Sequence, residues 1–397
     1  MDVRHSRRPR SVRAAPSASP RRALAVLLAT AAALGAAGTV PAAAAPSAGP
    51  KDAVRAGLER LVDEDRYPAA MASVTTRDGR TRNWTAGVAD LRTGSRVPVD
   101  GQVRAGSNTK TYVAVVVLQL VGEGKVELDA PIDRYLPGLV RGEGFDGRKV
   151  TVRQILQHTS GLPEYTDKIF EAVFGKDRHR YYQPRELLDI AFADKARFEP
   201  GTSWAYTNTN YVLAGLLIEK VTGRPVAEQL TERVIERIGL RHTYFPGVGD
   251  EGIREAHPRG YAARPDGSLD DVTALDPSWG WAAGQLVSTP SDLNRFFSAL
   301  IGGRLLKPAQ LAEMRTTVKV PGEGAMIEEY GLGLTRTSLS CGKVAWGHGG
   351  ATPGYHTFPG VTEDGRAATV AVTANLAPSP KGFEHAQAAL DRTLCAG

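Results

Sequence analysis

The sequence predicts an α/β fold: strands from the two ends of the chain form one antiparallel sheet flanked by helices, with an all-helical subdomain of about 125–320 inserted between them. Three observations carry this. Strand-like alternation is confined to the stretches before residue 90 and after residue 330. The interval between them reads as helices and loops, and 397 residues suffice for one substantial core.

Taken in order, residues 1–45 read as an export leader: Arg21 and Arg22, an apolar run from Ala23 to about Ala37, then small residues up to a cleavage site near Ala45. The apolar run is short for a membrane span, so the expected product is a secreted domain over 46–397 with no stable membrane association. Of the 49 Lys+Arg and 43 Asp+Glu residues, seven arginines and one aspartate lie in 1–45, which leaves 42 of each. A neutral remainder lacks the basic surface that nucleic acid or an anionic membrane would need. The two cysteines, Cys341 and Cys395, suit a single disulfide in an oxidising compartment.

Residues 51–65 space Val54, Leu58 and Leu61 as a helix. The stretches 70–76 and 81–88 flank Arg77-Asp78-Gly79-Arg80, which predicts a hairpin. Ser107 then opens a strongly apolar helix through Val121. Helices are expected at 151–158, 184–192, 210–222, 227–238 and 291–301, with no strands among them. Strands are expected at 330–334, 344–346, 355–358 and 367–375, followed by a helix over 382–394.

The chemistry begins at Gly106-Ser107-Asn108-Thr109-Lys110. A three-residue step on a helix puts serine and lysine on one face, and a desolvated lysine can accept the proton that a serine must lose to become a nucleophile. The pattern is commonplace, and Ser340 to Lys343 repeats it without a helical context. Ser107 gains weight from Tyr206-Thr207-Asn208, where a hydroxyl can relay the proton and an amide can hold substrate and lysine. It gains more from Gly347-His348-Gly349-Gly350-Ala351, where His348 can donate a hydrogen bond or act as a part-time cation while the glycines admit substrate backbone. His348 and His356 lack the setting of a metal site, so neither metal nor cofactor is expected.

Together these elements resemble the serine β-lactamase and penicillin-binding-protein superfamily, whose class A members carry Ser-x-x-Lys, Ser-Asp-Asn and Lys-Thr-Gly. The Tyr-x-Asn form and the histidine are similar to secreted actinobacterial D-alanyl-D-alanine carboxypeptidases and class C β-lactamases. The likeness extends to Val117-Leu-Gln-Leu-Val-Gly-Glu-Gly-Lys125, Leu156-Gln-His-Thr-Ser-Gly-Leu162, Phe296-Phe-Ser-Ala-Leu300 and Tyr330-Gly-Leu-Gly-Leu334. It implies a β-lactamase/transpeptidase-like fold and a monomeric serine hydrolase that takes a small peptide, ester or β-lactam. It also implies catalytic Ser107, Lys110, Tyr206, Asn208 and His348, a cleft lined by Phe170 and Trp279, and an oxyanion hole from the backbone N–H groups of Ser107 and Ala351.

In carboxypeptidases of this kind an arginine and two threonines hold the substrate's terminal carboxylate. The matching positions here are Thr335, Gly349 and Ala351. Arg336 is adjacent to the first, but successive strand residues face opposite sides of a sheet. A charged hydrogen bond is worth about 1.5–3 kcal/mol, so losing two weakens carboxylate recognition by one to several powers of ten. The sequence therefore predicts a D-alanyl-D-alanine carboxypeptidase-like peptidase. The alternatives are a D-stereospecific peptidase, amidase or esterase without the clamp, a class C-like β-lactamase, and a non-catalytic β-lactam-sensing or wall-binding module.

Overall fold

The computed structural model describes residues 50–322, 327–375 and 380–396; the leader expected over 1–45 lies outside the described residues. The hairpin forms where the Asp-Gly turn predicts it. Strands β1 (Ala69–Thr75) and β2 (Thr81–Asp90) are joined by a turn in which Gly79 takes φ +80° and donates its N–H to the Thr76 carbonyl. Strand β3 (Ser95–Arg96) follows on the outer edge.

The other strands come from the C-terminal part: β4 (Val318–Lys319), β5 (Glu329–Tyr330), β6 (Thr335–Ser338), β7 (Val344–Gly347), β8 (Gly350–Thr352), β9 (Tyr355–Thr362) and β10 (Ala367–Val372). Among the described residues these form one ten-stranded sheet, ordered β4-β5-β6-β7-β9-β10-β1-β2-β3, with β8 pairing β9. Every pairing in it is antiparallel, and β1 meets β10 with Ala70 opposite Val372.

Both faces of the sheet are covered. Ala70, Ala72 and Val74 join a core with Val54, Leu58 and Leu61 of helix α1 (Pro50–Asp63) and with Ala386, Ala389 and Leu394 of the C-terminal helix, whereas Ala69 and Met71 point into a separate core. This is the period of two expected of a strand, with both sides apolar because both are buried. The largest core gathers the helices: α2 (Asn108–Gly122), α3 (Val152–Gln157), α4 (Thr166–Phe174), α5 (Pro184–Phe192), α6 (Asn208–Thr222) and α7 (Pro290–Ile301). Helix α7 also anchors the sheet, since Asn294 donates to the Ser73 carbonyl and accepts from Thr369 Oγ1. Cys341, in the β6–β7 turn, forms a disulfide with Cys395 at the end of α8 (Pro380–Cys395).

Three expectations need correction. Short strands do occur between 125 and 320, at Arg141–Gly142, Phe145–Asp146, Tyr261–Ala263, Leu269–Asp271 and Val287–Ser288; two or three residues are too few to display alternation. The helix expected over 227–238 is a short α-helix, Val226–Leu230, running into a π-helical stretch, Thr231–Glu236. Tyr330-Gly331-Leu332-Gly333-Leu334 is largely a turn between β5 and β6. Gly333 takes φ +73° there, and a Cβ on it would lie 2.7 Å from both Ala114 Cβ and Tyr211 Oη, so glycine lets this turn sit against α2.

Candidate active site

Strand Val103–Arg104 pairs with Val287–Ser288, and Ala105 donates to the Leu286 carbonyl, which delivers the chain rigidly to the start of α2. Gly106 turns it with φ +55°; a Cβ here would come within 2.7 Å of Ala351 N and 2.8 Å of Ala351 O. On the other side, a Cβ on Gly350 would lie 2.0 Å from the Ala105 carbonyl oxygen. The two glycines thus allow backbone to press on backbone where the helix begins. Ser107 occupies the N-cap of α2, and within Ser107-Asn108-Thr109-Lys110 it alone is not buried.

Lys110 lies one turn on and is wholly buried. Its Nζ meets Ser107 Oγ at 2.9 Å, Asn208 Oδ1 at 2.7 Å and the Ala283 carbonyl oxygen at 2.8 Å. Burial lowers its pKa to about 7, against the opposing charge of Glu164. A neutral amine has two N–H donors and one lone pair. Asn208 Oδ1 and the Ala283 carbonyl can only accept, so they take both donors and the lone pair is left facing the Ser107 hydroxyl. The chemistry open to this arrangement is removal of the serine proton near neutral pH.

Helix α6 brings up the second motif. Thr207 caps it, accepting from the Thr209 N–H, and Asn208 begins its first turn. The Tyr206 ring lies against His158, with centroids 4.3 Å apart, and Lys110 Nζ lies 4.8 Å from its centroid. Desolvation raises the Tyr206 pKa, so the phenol holds its proton at neutral pH and serves as a donor while Lys110 is the base. His158 is itself buried at the left-handed C-cap of α3, and its Nδ1 accepts the Thr207 N–H.

The third motif departs from expectation. His348 is buried, and both ring nitrogens are engaged within the protein: Nδ1 pairs with the Gly349 carbonyl at 2.7 Å and Nε2 with Tyr330 Oη at 2.8 Å. A carbonyl only accepts, so Nδ1 carries the proton and Nε2 accepts from the tyrosine. Burial, followed by the charge of Lys110, pushes the His348 pKa down to about 3. The part-time cation read from the sequence is therefore a neutral brace beneath the Gly349–Ala351 segment.

The clamp positions are equally clear. Thr335 lies opposite Gly347 and donates its hydroxyl to that residue's carbonyl at 2.8 Å. Arg336 pairs with Glu329 at 3.2 Å on the neighbouring strand, without a bulge to re-aim it. Gly349 and Ala351 offer backbone only. Of the two aromatic residues assigned to the cleft, Trp279 is only 8% exposed within the helical core, whereas Phe170 is 54% exposed. Phe170 sits one helical turn beyond Thr166, whose Oγ1 lies 3.4 Å from Asn208 Nδ2.

The second Ser-x-x-Lys copy comes apart in space. Ser340 bonds to Asp391 through both its hydroxyl and its N–H, and Lys343 pairs with Asp364 at 3.2 Å. A cavity of about 400 Å³, lined among others by Gln119, Arg233, Arg237 and Lys307, lies at the opposite end of α2, roughly 22 Å from the serine by helical rise.

Sequence reasoning missed Glu164, which accepts from both nitrogens of Asn208, and the brace from Tyr330 to His348. Tyr330 opens the stretch Tyr330-Gly-Leu-Gly-Leu334, but its partner is 18 residues away. The signal for Glu164 was a lone carboxylate two residues beyond His158-Thr-Ser-Gly-Leu162, between Pro163 and Tyr165.

The model of the family described as "Beta-lactamase" matches residues 54–394. The chain is 30% identical over 268 residues to penicillin-binding protein 4* of Bacillus subtilis, an alignment taking in 64% of this chain and 56% of that protein. A D-stereospecific amidohydrolase from Streptomyces sp. superposes with a TM-score of 0.77 at 40% identity, covering 84% of this chain and 97% of the other. A D-amino acid amidase from Ochrobactrum anthropi SV3, in complex with L-phenylalanine amide, superposes with a TM-score of 0.77 at 28% identity, covering 87% and 98%.

Proposed function

Since this chain belongs to the beta-lactamase family, and is on that footing a serine hydrolase, we propose that it is a D-stereospecific amidohydrolase acting on amides, peptides or esters with an uncharged or extended C-terminal side. The carrying observation is the disposition of the clamp positions: Thr335 spends its hydroxyl on Gly347, and Arg336 is held by Glu329. A free carboxylate at Thr335, Gly349 and Ala351 would meet no cationic side chain from those three positions, a cost that a neutral amide does not incur. The D-stereospecific amidohydrolase and D-amino acid amidase, covered over 97% and 98% of their lengths, support the same reading over a carboxypeptidase.

In the proposed reaction the Ser107 proton passes to Lys110 Nζ as Oγ bonds to the substrate carbonyl carbon. The backbone N–H groups of Ser107 and Ala351 hold the developing oxyanion. The carbon–nitrogen or carbon–oxygen bond then breaks, and the leaving group takes its proton from the Lys110 ammonium through the Tyr206 hydroxyl. Water adds to the Ser107 ester, gives a proton back through the same pair, and releases the acid with the serine restored. Asn208 orients Lys110 and substrate, His348 holds the Gly349–Ala351 backbone in place, and Phe170 lines the cleft mouth.

The leader pattern of residues 1–45 and the disulfide support export of the domain to an oxidising compartment. The deciding assay compares a D-amino acid amide, its methyl ester and a free D-Ala-D-Ala peptide. At least about tenfold higher kcat/KM for the amide and ester is expected; preference for the free acid overturns the substrate assignment and returns the chain to the carboxypeptidases.

A further inference from the structure

We infer that Glu164 is a positioning residue of this site: its buried carboxylate fixes the orientation of the Asn208 amide and thereby aims Lys110 at Ser107. This rests on the serine-hydrolase reading above. Glu164 is 6% exposed. Its Oε2 accepts from the Asn208 backbone N–H at 2.5 Å and from Asn208 Nδ2 at 3.2 Å, while Oε1 accepts from the Thr166 N–H at 3.0 Å.

A carboxylate accepts and does not donate. Asn208 must therefore turn its NH2 toward Glu164 and its Oδ1 toward Lys110 Nζ, 2.7 Å away. With the amide flipped, an NH2 group would confront the amine and compete for its lone pair. Glu164 is thus a reason why the lone pair of Lys110 falls to Ser107. It also caps α6 from outside that helix, placing negative charge at the positive end of the helix next to a buried amine.

Among the described residues, the groups facing Lys110 leave this role to Glu164. From α2 comes Ser107; from the start of α6 and the residues before it come Asn208 and the Tyr206 and Tyr211 rings; from the segment before α7 comes the Ala283 carbonyl. Burial first, and then the charge of Lys110, disfavours a positive charge on His158 and on His348. Glu164 is the anionic member of the set, and it opposes the fall in the Lys110 pKa.

The test is Glu164→Gln, followed through the rate at which an activated ester acylates Ser107, measured by intact mass across pH 5–9. Glutamine offers one accepting oxygen in place of two and brings an NH2 toward the Thr166 N–H, so it holds the Asn208 amide less firmly and the plateau rate should slow by about tenfold. Loss of the negative charge should move the acid limb to lower pH, because protonated Lys110 is then less favoured. Simple loosening would admit water and move that limb to higher pH. A Glu164→Gln enzyme that matches wild type in plateau and limb, or whose limb moves upward, overturns the inference while leaving the hydrolase reading intact. A wild type that forms no Ser107 adduct sinks both. If the variant does not fold, a crystal structure of the wild-type acyl-enzyme decides: Glu164 beyond about 3.5 Å from both nitrogens of Asn208 overturns it.

Discussion

Ser107–Lys110 and Ser340–Lys343 are the same four-residue pattern in one chain, and the fold treats them in opposite ways. The first straddles the start of a buried helix, where one turn aligns the side chains and the surroundings strip water from the lysine. The second spans an exposed turn between β6 and β7. There the serine hydroxyl donates to Asp391, which leaves it no proton to give up to an amine, and the lysine pairs with Asp364. A spacing becomes a candidate site only when helix, burial and partners act on it together.

The largest test of that contrast is removal of each hydroxyl. Ser107→Ala should abolish adduct formation by mass spectrometry and lower kcat by at least about 10³-fold, whereas Ser340→Ala should leave kcat/KM within about twofold. Comparable losses from both would erase the distinction.

Next comes the geometry that only the first copy has. Gly106→Ala puts a Cβ against the Ala351 backbone at a left-handed position, so acylation should slow by about 10²-fold through displaced oxyanion donors. Unaltered single-turnover acylation would show that this contact is not needed.

The pH dependence should separate the lysines as well. With Lys110 lowered to about 7, acylation should rise along a limb centred near pH 7 as the neutral base forms. Stability carries the matching sign. The unfolded lysine titrates near 10.4, so between about pH 7 and 10.4 the unfolded state holds a proton that the folded state lacks, and urea stability gains with rising pH from this group. Lys110→Met should remove that gain. A limb displaced by two units would contradict the burial argument.

The second region should answer in stability instead. Breaking the Cys341–Cys395 bridge, which closes a 54-residue span, should cost about 2–4 kcal/mol in denaturant titrations at unchanged kcat/KM. The smallest effect is expected for Ser340→Ala on stability, about 1 kcal/mol or less, since the Asp391 contact is exposed.

Much of this was legible in the sequence because it is written in local period. The hairpin around Asp78-Gly79, the apolar run of α2 and the strands of β9 and β10 each betray themselves within a dozen residues. That Ser107, Lys110, Tyr206 and Asn208 would come together was legible because their residue types, in that order, suit one proposed chemistry. Glu164 was not, since a carboxylate in a loop reads as solvated until a helix N-terminus is seen docking on it. His348 shows a related difficulty: a side chain able to donate a hydrogen bond to substrate is also able to satisfy its own neighbours, and only three-dimensional pairing shows which it does. The turn at Gly331-Leu332-Gly333-Leu334 reads as alternation until Tyr211 and Ala114 are found occupying the space that a Cβ would need.

The pairing of β1 with β10 governs how such a molecule comes into being. Ala70 meets Val372, and Ala69 donates to Thr373 Oγ1 across 304 positions. During synthesis the opening hairpin therefore waits, one edge bare and α1 without the α8 side chains that bury it, until nearly the whole chain exists. Ser107 is likewise made long before Ala351, so a nascent chain carries the proposed nucleophile without the strand that completes its surroundings. The last tenth of the polypeptide is thus a lock on assembly, and a chain cut short there ends as an unpaired edge.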